Sequence, residues 1–207
     1  NAQLRHRPRY DPLSLSQQHI HQEPIAVGTD NDAATDTIAK VTTGGVCSIL
    51  ATGKTSGLRW EWVQAPTSGG QGPIYGSNGT DTAQQWDGAA GTTSAWTAST
   101  GSIPAAKYLL YHADRIWATG IAAEPGRVRY SGLTASAIPG PDPRNWDSDN
   151  YVDIEPQDGE EITGIQDVGP YILVTKPRKT YVITDVVTGA WRQISNTTGS
   201  ISHRSMV

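Results

Sequence analysis

The stretch "YLLYHADRIWATGIAAEPGRVRYSGL", residues 108–133, decides the fold class of this chain. It holds three short apolar runs, and each run ends at Gly, Pro or a charged residue. Short runs of β-branched and aromatic residues bounded by turn formers are typical of strands in an antiparallel sheet. The stretch therefore predicts three consecutive strands of one small sheet.

A second stretch, "ITGIQDVGPYILVTKPRKTYVITDV" (residues 162–186), repeats this design strand for strand, and Ile116 aligns with Ile172. Two four-strand units are expected at about 105–156 and 160–196. A third, looser unit is expected at about 41–88, and residues 200–207 resemble the start of another. Four-strand repeats of roughly 40 to 55 residues are typical of β-propeller blades.

The predicted fold is all-β, a propeller-like array of four-stranded antiparallel blades over residues 41–207. A β-sandwich is the alternative, because it produces turn signals at the same spacing. Residues 1–40 are polar and lack apolar periodicity, which predicts an extended, irregular N-terminal arm. Because the chain does not begin with Met and stops inside the last repeat, we expect a fragment or a processed product.

Composition narrows the function classes. The formal net charge of -4 offers no general attraction for nucleic acid or an anionic membrane. A single cysteine, Cys47, excludes an intramolecular disulfide and a cysteine-based zinc site. No run approaches the ~18 apolar residues of a membrane span. The 22 Gly, 13 Pro, 7 Trp and 8 Tyr, with no Phe, fit an all-β chain.

One motif resembles a nucleotide site. Gly53-Lys54-Thr55 matches the end of a phosphate-binding loop, but Ser48 stands where that motif begins with glycine. The residues that follow predict a strand, whereas phosphate binding needs a helix N-terminus. We therefore expect a β-turn here and predict no cofactor.

The acidic segment at residues 142–161 is the candidate metal site. An EF-hand would need glycine where Val152 stands. An irregular calcium site is the alternative, but a run of charges predicts a solvated acidic loop without a metal. The candidate ligands are Asp142, Asp147, Asp149 and Asp153.

Catalysis is not predicted. No Gly-x-Ser-x-Gly motif occurs, and Cys47 lies in an apolar run, where a buried, inert thiol is expected. A glycan-active propeller enzyme would need two carboxylates in a central pocket, and Asp149 with Glu155 or Asp158 is the pair available. We predict that the chain is not an enzyme.

The tryptophans allow two interpretations. An exposed aromatic surface would stack against sugar rings, as in a lectin. In a chain without Phe, however, Trp must fill much of the core, and core filling is our prediction. The residues concerned are Trp60, Trp62, Trp86, Trp117, Trp146 and Trp191.

Four segments carry a family resemblance: "PIYGSNGTDTAQQWDG" (73–88), "AAKYLLYHADRIWATGIAAEPGRVRYSGL" (105–133), "DPRNWDSDNYVDIEPQDGEEITGI" (142–165) and "GPYILVTKPRKTYVITD" (169–185). Their order resembles β-propeller-like tail proteins of tailed bacteriophages, namely tail-tip components and the nozzle proteins of short-tailed phages. The shared pattern runs from an Asn-Gly-x-Asp turn through an Arg-Val-x-Tyr-Ser strand and an Asp-Gly-Glu turn to a Lys-x-x-x-x-Tyr strand. It covers a little over half of the chain.

The resemblance implies a structural protein of the virion tail, which forms a homo-oligomeric ring with copies of itself and contacts other phage tail proteins. DNA would pass through the lumen during genome ejection without specific binding, and we expect the acidic segment 142–161 to face that lumen. A carbohydrate-binding module for host-surface recognition is the alternative. Basic residues recur at matching turns (Lys176, Arg178 and Lys179), which suggests ties between strands or subunits. The predicted interface residues are Arg115, Arg127, Arg129 and Trp146.

Overall fold

The computed structural model describes residues 25–28, 35–42, 44–65, 72–89, 91–133 and 141–203. These residues form nineteen β-strands and no α-helix, which confirms the predicted all-β class. In particular, none of them belongs to a helix long and apolar enough to cross a membrane.

Three four-stranded antiparallel sheets make up most of the fold. Sheet II comprises β4 (Glu61–Gln64), β5 (Ile74–Ser77), β6 (Gln84–Trp86) and β7 (Ser94–Ala95). Sheet III comprises β9 (Tyr108–His112), β10 (Arg115–Thr119), β11 (Arg127–Tyr130) and β15 (Tyr151–Asp153). Sheet IV comprises β16 (Gly164–Val168), β17 (Tyr171–Thr175), β18 (Thr180–Asp185) and β19 (Ala190–Ser195).

The remaining strands of the described residues form smaller sheets. Sheet I comprises β1 (Ile25–Gly28), β2 (Thr35–Val41) and β3 (Cys47–Thr55). Two short pairs lie outside the main sheets: β12 (Gly132–Leu133) pairs antiparallel with β13 (Pro141–Asp142), and β8 (Thr100–Gly101) pairs parallel with β14 (Asn145–Trp146).

The predicted repeat is visible in the hairpins that open sheets III and IV. A two-residue turn, Ala113-Asp114, joins β9 to β10, and both residues have positive φ, at 49° and 58°. Such a turn matches the twist of the strands that it connects. Gly169-Pro170 forms a turn of the same length between β16 and β17, with Gly169 at φ 62°. Equal turns place Ile116 and Ile172 at equivalent positions.

The sheets stack in chain order, with a hydrophobic cluster between each pair of neighbours. Trp60 and Trp86 lie between sheets I and II, Tyr75 and Ile116 between sheets II and III, and Trp117 among the side chains between sheets III and IV. The first strands are neighbours, since β4 contacts β9 and β9 contacts β16. This arrangement is a blade-like array, without a closed barrel among the described strands.

Both faces of sheet III are buried. Ile116 and Ala118 of β10 face sheet II, whereas Trp117, between them, faces sheet IV. All three side chains are fully buried, at 0 % exposure. Burial of a large apolar side chain contributes ~1.5–3 kcal/mol, so this strand anchors two interfaces at once. A strand that is buried on both faces needs apolar residues at successive positions, which explains the continuous apolar run in β10.

The N-terminal boundary differs from the prediction. β1 and β2 lie within the predicted arm, and β3 pairs with β2 instead of joining the unit expected at 41–88. The pairing is stabilised because Ile38 and Leu50 pack together against sheet II. Asp36 is buried in this polar stretch and accepts a hydrogen bond from the Gly57 amide at 3.1 Å. Residues 1–24 of the predicted arm lie outside the described residues.

Candidate functional site

Arg127 and Arg129, predicted as ties between strands or subunits, bind carboxylates of their own chain. Arg127 forms a bidentate ion pair with Asp153 on the neighbouring strand β15. Its Nε lies 2.7 Å from Oδ1, and its Nη2 lies 3.0 Å from Oδ2. Arg129 binds Glu124 at 2.6 and 2.7 Å. The guanidinium of Arg127 also lies 3.7 Å from the centre of the Tyr151 ring.

The electrostatics of this cluster favour the charged forms. Hydrogen bonds from Arg129 hold the pKa of Glu124 below its usual value, although partial burial opposes that shift. The hydrogen bond to Asp153 raises the pKa of Arg127. Arg127 therefore links strands β11 and β15, and Arg129 links β11 to the loop that precedes it. Arg115 lies 4.6 Å from the ring centre of Tyr130 in the same sheet.

Trp146, the fourth predicted interface residue, is buried at 1 % exposure in the cluster between sheets II and III. Its indole N–H donates to the carbonyl oxygen of Pro143 at 2.8 Å. The side chain fills the core, so it offers no surface to a partner. The pairing of β14 with β8 places the loop at residues 143–146 against the cluster between sheets II and III.

The second half of the acidic segment is neutralised by cations that sequence reasoning did not assign to it. The Nζ of Lys176 is 2.7 Å from Asp158 and 2.9 Å from the carbonyl oxygen of Glu155. Lys179 binds both Glu155, at 2.7 Å, and Asp158, at 2.9 Å. The Lys176 side chain is fully buried. This half of the segment is therefore a structural tie to sheet IV and not a solvated charge run.

The ionisation of Asp158 reflects that tie. Burial alone would raise its pKa, but hydrogen bonds from Lys176 and Lys179 outweigh burial and lower the pKa to about 2. Tyr181 completes the network by donating its hydroxyl to Glu155 at 2.9 Å. Burial and that hydrogen bond raise the pKa of Tyr181. The Asp-Gly-Glu turn and the Lys-x-x-x-x-Tyr strand, quoted separately from the sequence, thus meet in one cluster.

The aspartates proposed as metal ligands do not form a site in the described residues. Asp153 is engaged by Arg127, while Asp147 and Asp149 are exposed. The side chain of Asp142 lies outside the described part. No group of three or more His, Cys, Asp or Glu in the described ranges could hold a metal ion.

The sugar-stacking surface is not formed by the tryptophans proposed for it. Trp60, Trp86, Trp117 and Trp146 are buried at 3 % exposure or less. Trp62 and Trp191 are partly buried and pack against clusters of the core. The tryptophans fill the spaces between sheets, which confirms the core interpretation.

The motif that resembled a phosphate-binding loop lies within strand β3, so the β-turn predicted for it is wrong, and it joins two sheets. Thr55 donates its amide and its hydroxyl to Asp81, at 2.9 and 2.7 Å. Asp81 belongs to the Asn-Gly-x-Asp turn, where Asn78 accepts from the Asp81 amide at 2.8 Å. Burial would raise the pKa of Asp81, but the hydrogen bonds from Thr55 and Asn78 lower it. Gly53-Lys54-Thr55 therefore links sheet I to sheet II.

Sheet IV also has direct polar links to sheet III. His112 of β9 lies 3.1 Å from Asp167 of β16, and Lys107 lies 3.3 Å from Glu161. The histidine is buried and the other three side chains are at least partly exposed. Sheets III and IV are thus joined by polar side-chain pairs as well as by their shared hydrophobic cluster.

Two concave surfaces stand out. A cavity of about 230 Å³ lies where the starts of β4 and β9 meet the C-terminal turn, lined by Arg59, Glu61, Lys107 and Tyr108, among others. It carries charges of both signs, so it does not select one ligand charge. A groove of about 660 Å³ lies on the face of sheet IV that points away from sheet III, lined by Gln166, Leu173, Thr175 and Thr180, among others. Sequence reasoning missed this groove because its residues read as an ordinary strand.

Comparison with protein-family models found no match, and comparison with curated proteins found none either. Among solved structures, the extracellular domain of a hybrid two-component system from B. thetaiotaomicron is similar, with 14% sequence identity and a TM-score of 0.48. The match covers 85% of this chain and 24% of that chain, so this chain spans about a quarter of its length. At that TM-score the similarity carries no argument about function.

Proposed function

We propose that this chain is a structural subunit of a bacteriophage tail, which acts by assembling into a homo-oligomeric ring of the tail tube, nozzle or tip. It performs no catalysis. DNA passes through the ring during genome ejection without specific binding, in keeping with a net charge of -4. Other tail proteins are its further partners.

The observation that carries this proposal is the structural role of the residues in the motifs shared with phage tail proteins. Asp81 ties sheet I to sheet II, Arg127 ties β11 to β15, and Asp158 ties its turn to sheet IV through Lys176. Ser131, which ends the Arg-Val-x-Tyr-Ser strand, accepts a hydrogen bond from the buried Ile116 amide at 2.9 Å. The recurrent polar residues therefore rigidify a stack of sheets, and a rigid subunit is what a closed ring requires.

The ends of the stack support an assembling role. Apolar side chains are exposed at both ends of the described stack. Val46 and Ile49 are 61% and 59% exposed at one end, and Ile201 is 85% exposed at the other. Exposed apolar groups at sheet faces favour association with further protein.

Immunogold labelling of tailed particles tests the proposal. Antibodies raised against the folded chain should label the tail of virions released by a host that carries the gene. Glycan arrays should show no binding to the same protein. Label confined to non-particulate host fractions, or specific retention of a host glycan, would contradict the tail assignment.

A further inference from the structure

The turn between β5 and β6 carries the only Asn-Gly step of the sequence, Asn78-Gly79. An asparagine side-chain amide can be attacked by the backbone nitrogen of the residue that follows it. Glycine favours this attack, because it has no side chain to hinder the approach and its backbone adopts many conformations. The sequence step therefore marks Asn78 as a site of spontaneous deamidation.

Three hydrogen bonds hold the Asn78 side chain in the described fold. Its Oδ1 accepts from the amide of Thr80 at 3.0 Å and from the amide of Asp81 at 2.8 Å. Its Nδ2 donates to Oδ2 of Asp81 at 2.8 Å. Asn78 is also buried, at 4% exposure. The amide that would react is therefore fixed in place and shielded from water.

The glycine that would attack is confined as well. Gly79 has φ +82°, and a Cβ placed on it would lie 2.8 Å from Cγ of Lys107. The Gly79 backbone thus packs directly against the segment that leads into β9. Ring closure requires Cγ of Asn78 to move into bonding distance of the Gly79 nitrogen, and the hydrogen bonds and this packing oppose the movement. The turn must open before the reaction can proceed.

The same turn ties sheet II to sheet I. The Asp81 carboxylate that accepts from Asn78 also accepts from the amide and the hydroxyl of Thr55, at 2.9 and 2.7 Å. Thr55 ends strand β3, and the same strand carries Leu50, which packs between sheets I and II. Separation of sheet I therefore removes two of the contacts that hold Asp81 against Asn78.

We propose that Asn78 is a deamidation site that the docking of sheet I protects, so that it reacts when the tie between sheets I and II opens. In the open turn, the Gly79 nitrogen loses its proton to solvent and forms a bond to Cγ of Asn78. The Cγ–Nδ2 bond breaks, and ammonia leaves. Water then hydrolyses the succinimide ring to leave aspartate or isoaspartate at position 78. Water is consumed and ammonia is released, without oxidation or reduction.

The product cannot restore the tie. A carboxylate at position 78 has no N–H group for Asp81, and it places a second negative charge where Nδ2 now lies, 2.8 Å from Oδ2. Two carboxylates in contact disfavour the ionised state of both. Isoaspartate also lengthens the backbone of the turn by one carbon atom. A reversible opening is thereby converted into a permanent loosening of sheet I.

The rate of Asn78 loss in the folded chain, compared with the same chain in denaturing urea, tests the protection. Mass spectrometry of tryptic peptides follows the reaction. Cys47 is exposed instead of buried as predicted, so a reducing agent is needed to prevent disulfide cross-links between chains. Deamidation should be at least about 30-fold slower in the folded chain, because it waits for a local opening. Equal rates, or an Asn78 that stays intact in urea, would overturn the proposal.

Thr55→Val tests whether sheet I provides the protection. The substitution removes the hydroxyl that donates to Asp81 but keeps the size of the side chain. The folded variant should deamidate about fivefold faster than wild type or more, since one hydrogen bond to a charged group is lost. Thr180→Val is the matched control, because the Thr180 hydroxyl donates at 2.7 Å to the Thr198 carbonyl in sheet IV. No acceleration in Thr55→Val, or the same acceleration in both variants, would contradict protection by sheet I.

Asn78→Asp reproduces one product without the reaction. Amides of β3 should exchange with deuterium at least about tenfold faster in this variant than in wild type, because the two carboxylates repel. Asn196→Asp is the control, since Asn196 is exposed after the end of β19. Unchanged exchange in β3 would show that deamidation does not loosen sheet I. The first two comparisons keep Asn78 in place, so they decide the proposal even where Asn78→Asp does not fold.

Discussion

Trp96 and Trp146 donate their indole N–H groups to the same acceptor, the carbonyl oxygen of Pro143, each at 2.8 Å. Their rings meet edge to face, with centroids 5.6 Å apart. Trp96 follows the last strand of sheet II, and Trp146 ends strand β14, which precedes the last strand of sheet III. The Pro143 carbonyl oxygen therefore links the chain segments that flank sheets II and III.

Replacing Trp146 by Phe should destabilise the fold by about 2 kcal/mol in urea denaturation. The change removes one buried hydrogen bond and some apolar contact while it keeps an aromatic ring. Trp60→Phe is the matched control, because the Trp60 indole nitrogen is buried without a hydrogen-bond partner among the described residues. Equal costs for the two substitutions would show that the Pro143 bond contributes nothing.

Replacing Gly101 by Ala should be severely destabilising. A Cβ at this position would lie 1.7 Å from the Trp146 carbonyl oxygen, and Gly101 has φ +69°. Backbone would have to move, which would break the pairing of β8 with β14. Gly88→Ala is the control, since Gly88 has φ +87° with nothing within 4 Å of the new atom.

We expect about 1 kcal/mol for Gly88→Ala from the positive φ alone, and at least about 3 kcal/mol for Gly101→Ala. Thermal unfolding followed by circular dichroism measures both. A Gly101→Ala protein as stable as Gly88→Ala would mean that β8 and β14 do not approach as described.

Stability should fall in acid through Asp158. Its folded pKa of about 2 is lower than the value near 3.9 of an unfolded Asp. The ionised carboxylate therefore stabilises the fold fully above pH ~4, and this contribution, on the order of 1–2 kcal/mol, is lost as pH falls through ~2. The free energy of unfolding of wild type and Asp158→Asn should converge over that window. A constant difference from neutral pH down to that limit would rule out this role, and Asp149→Asn, at an exposed position, is the control.

Lys176 should show strong coupling to Asp158. Lys176→Met should cost about 3 kcal/mol in chemical denaturation, because it leaves a partly buried carboxylate with one cation fewer. In the double variant with Asp158→Asn, the cost should be less than the sum of the single costs by at least about 1 kcal/mol. Additive costs would mean that the 2.7 Å contact between Lys176 and Asp158 contributes no coupling free energy.

The sequence pattern predicted those parts of the fold that depend on residues close together in the chain. The β9–β10 and β16–β17 hairpins follow from apolar runs and two-residue turns, and Ile116 and Ile172 were aligned correctly. The pairing of β2 with β3 was not predicted, because Asp36 and Lys40 interrupt the apolar pattern of β2, which depends on that pairing for its stability. Polar residues can be buried when the fold supplies partners, as Gly57 does for Asp36.

The candidate site depended on long-range pairing, which periodicity does not reveal. Lys176 and Asp158 are separated by eighteen residues and a sheet edge, so their charges looked solvated in sequence. Trp146 was predicted as an interface residue, yet it is buried in the core beside the β8–β14 pair. The groove depends on which sheet lies last in the stack, and that order is a property of the tertiary structure.

The mass and rotational symmetry of the particle formed by the purified chain test the central claim most directly. Native mass spectrometry with class-averaged electron micrographs should show closed rings of identical copies with an axial lumen. A monomer at all accessible concentrations, or open aggregates without a defined copy number, would contradict a ring-forming tail subunit.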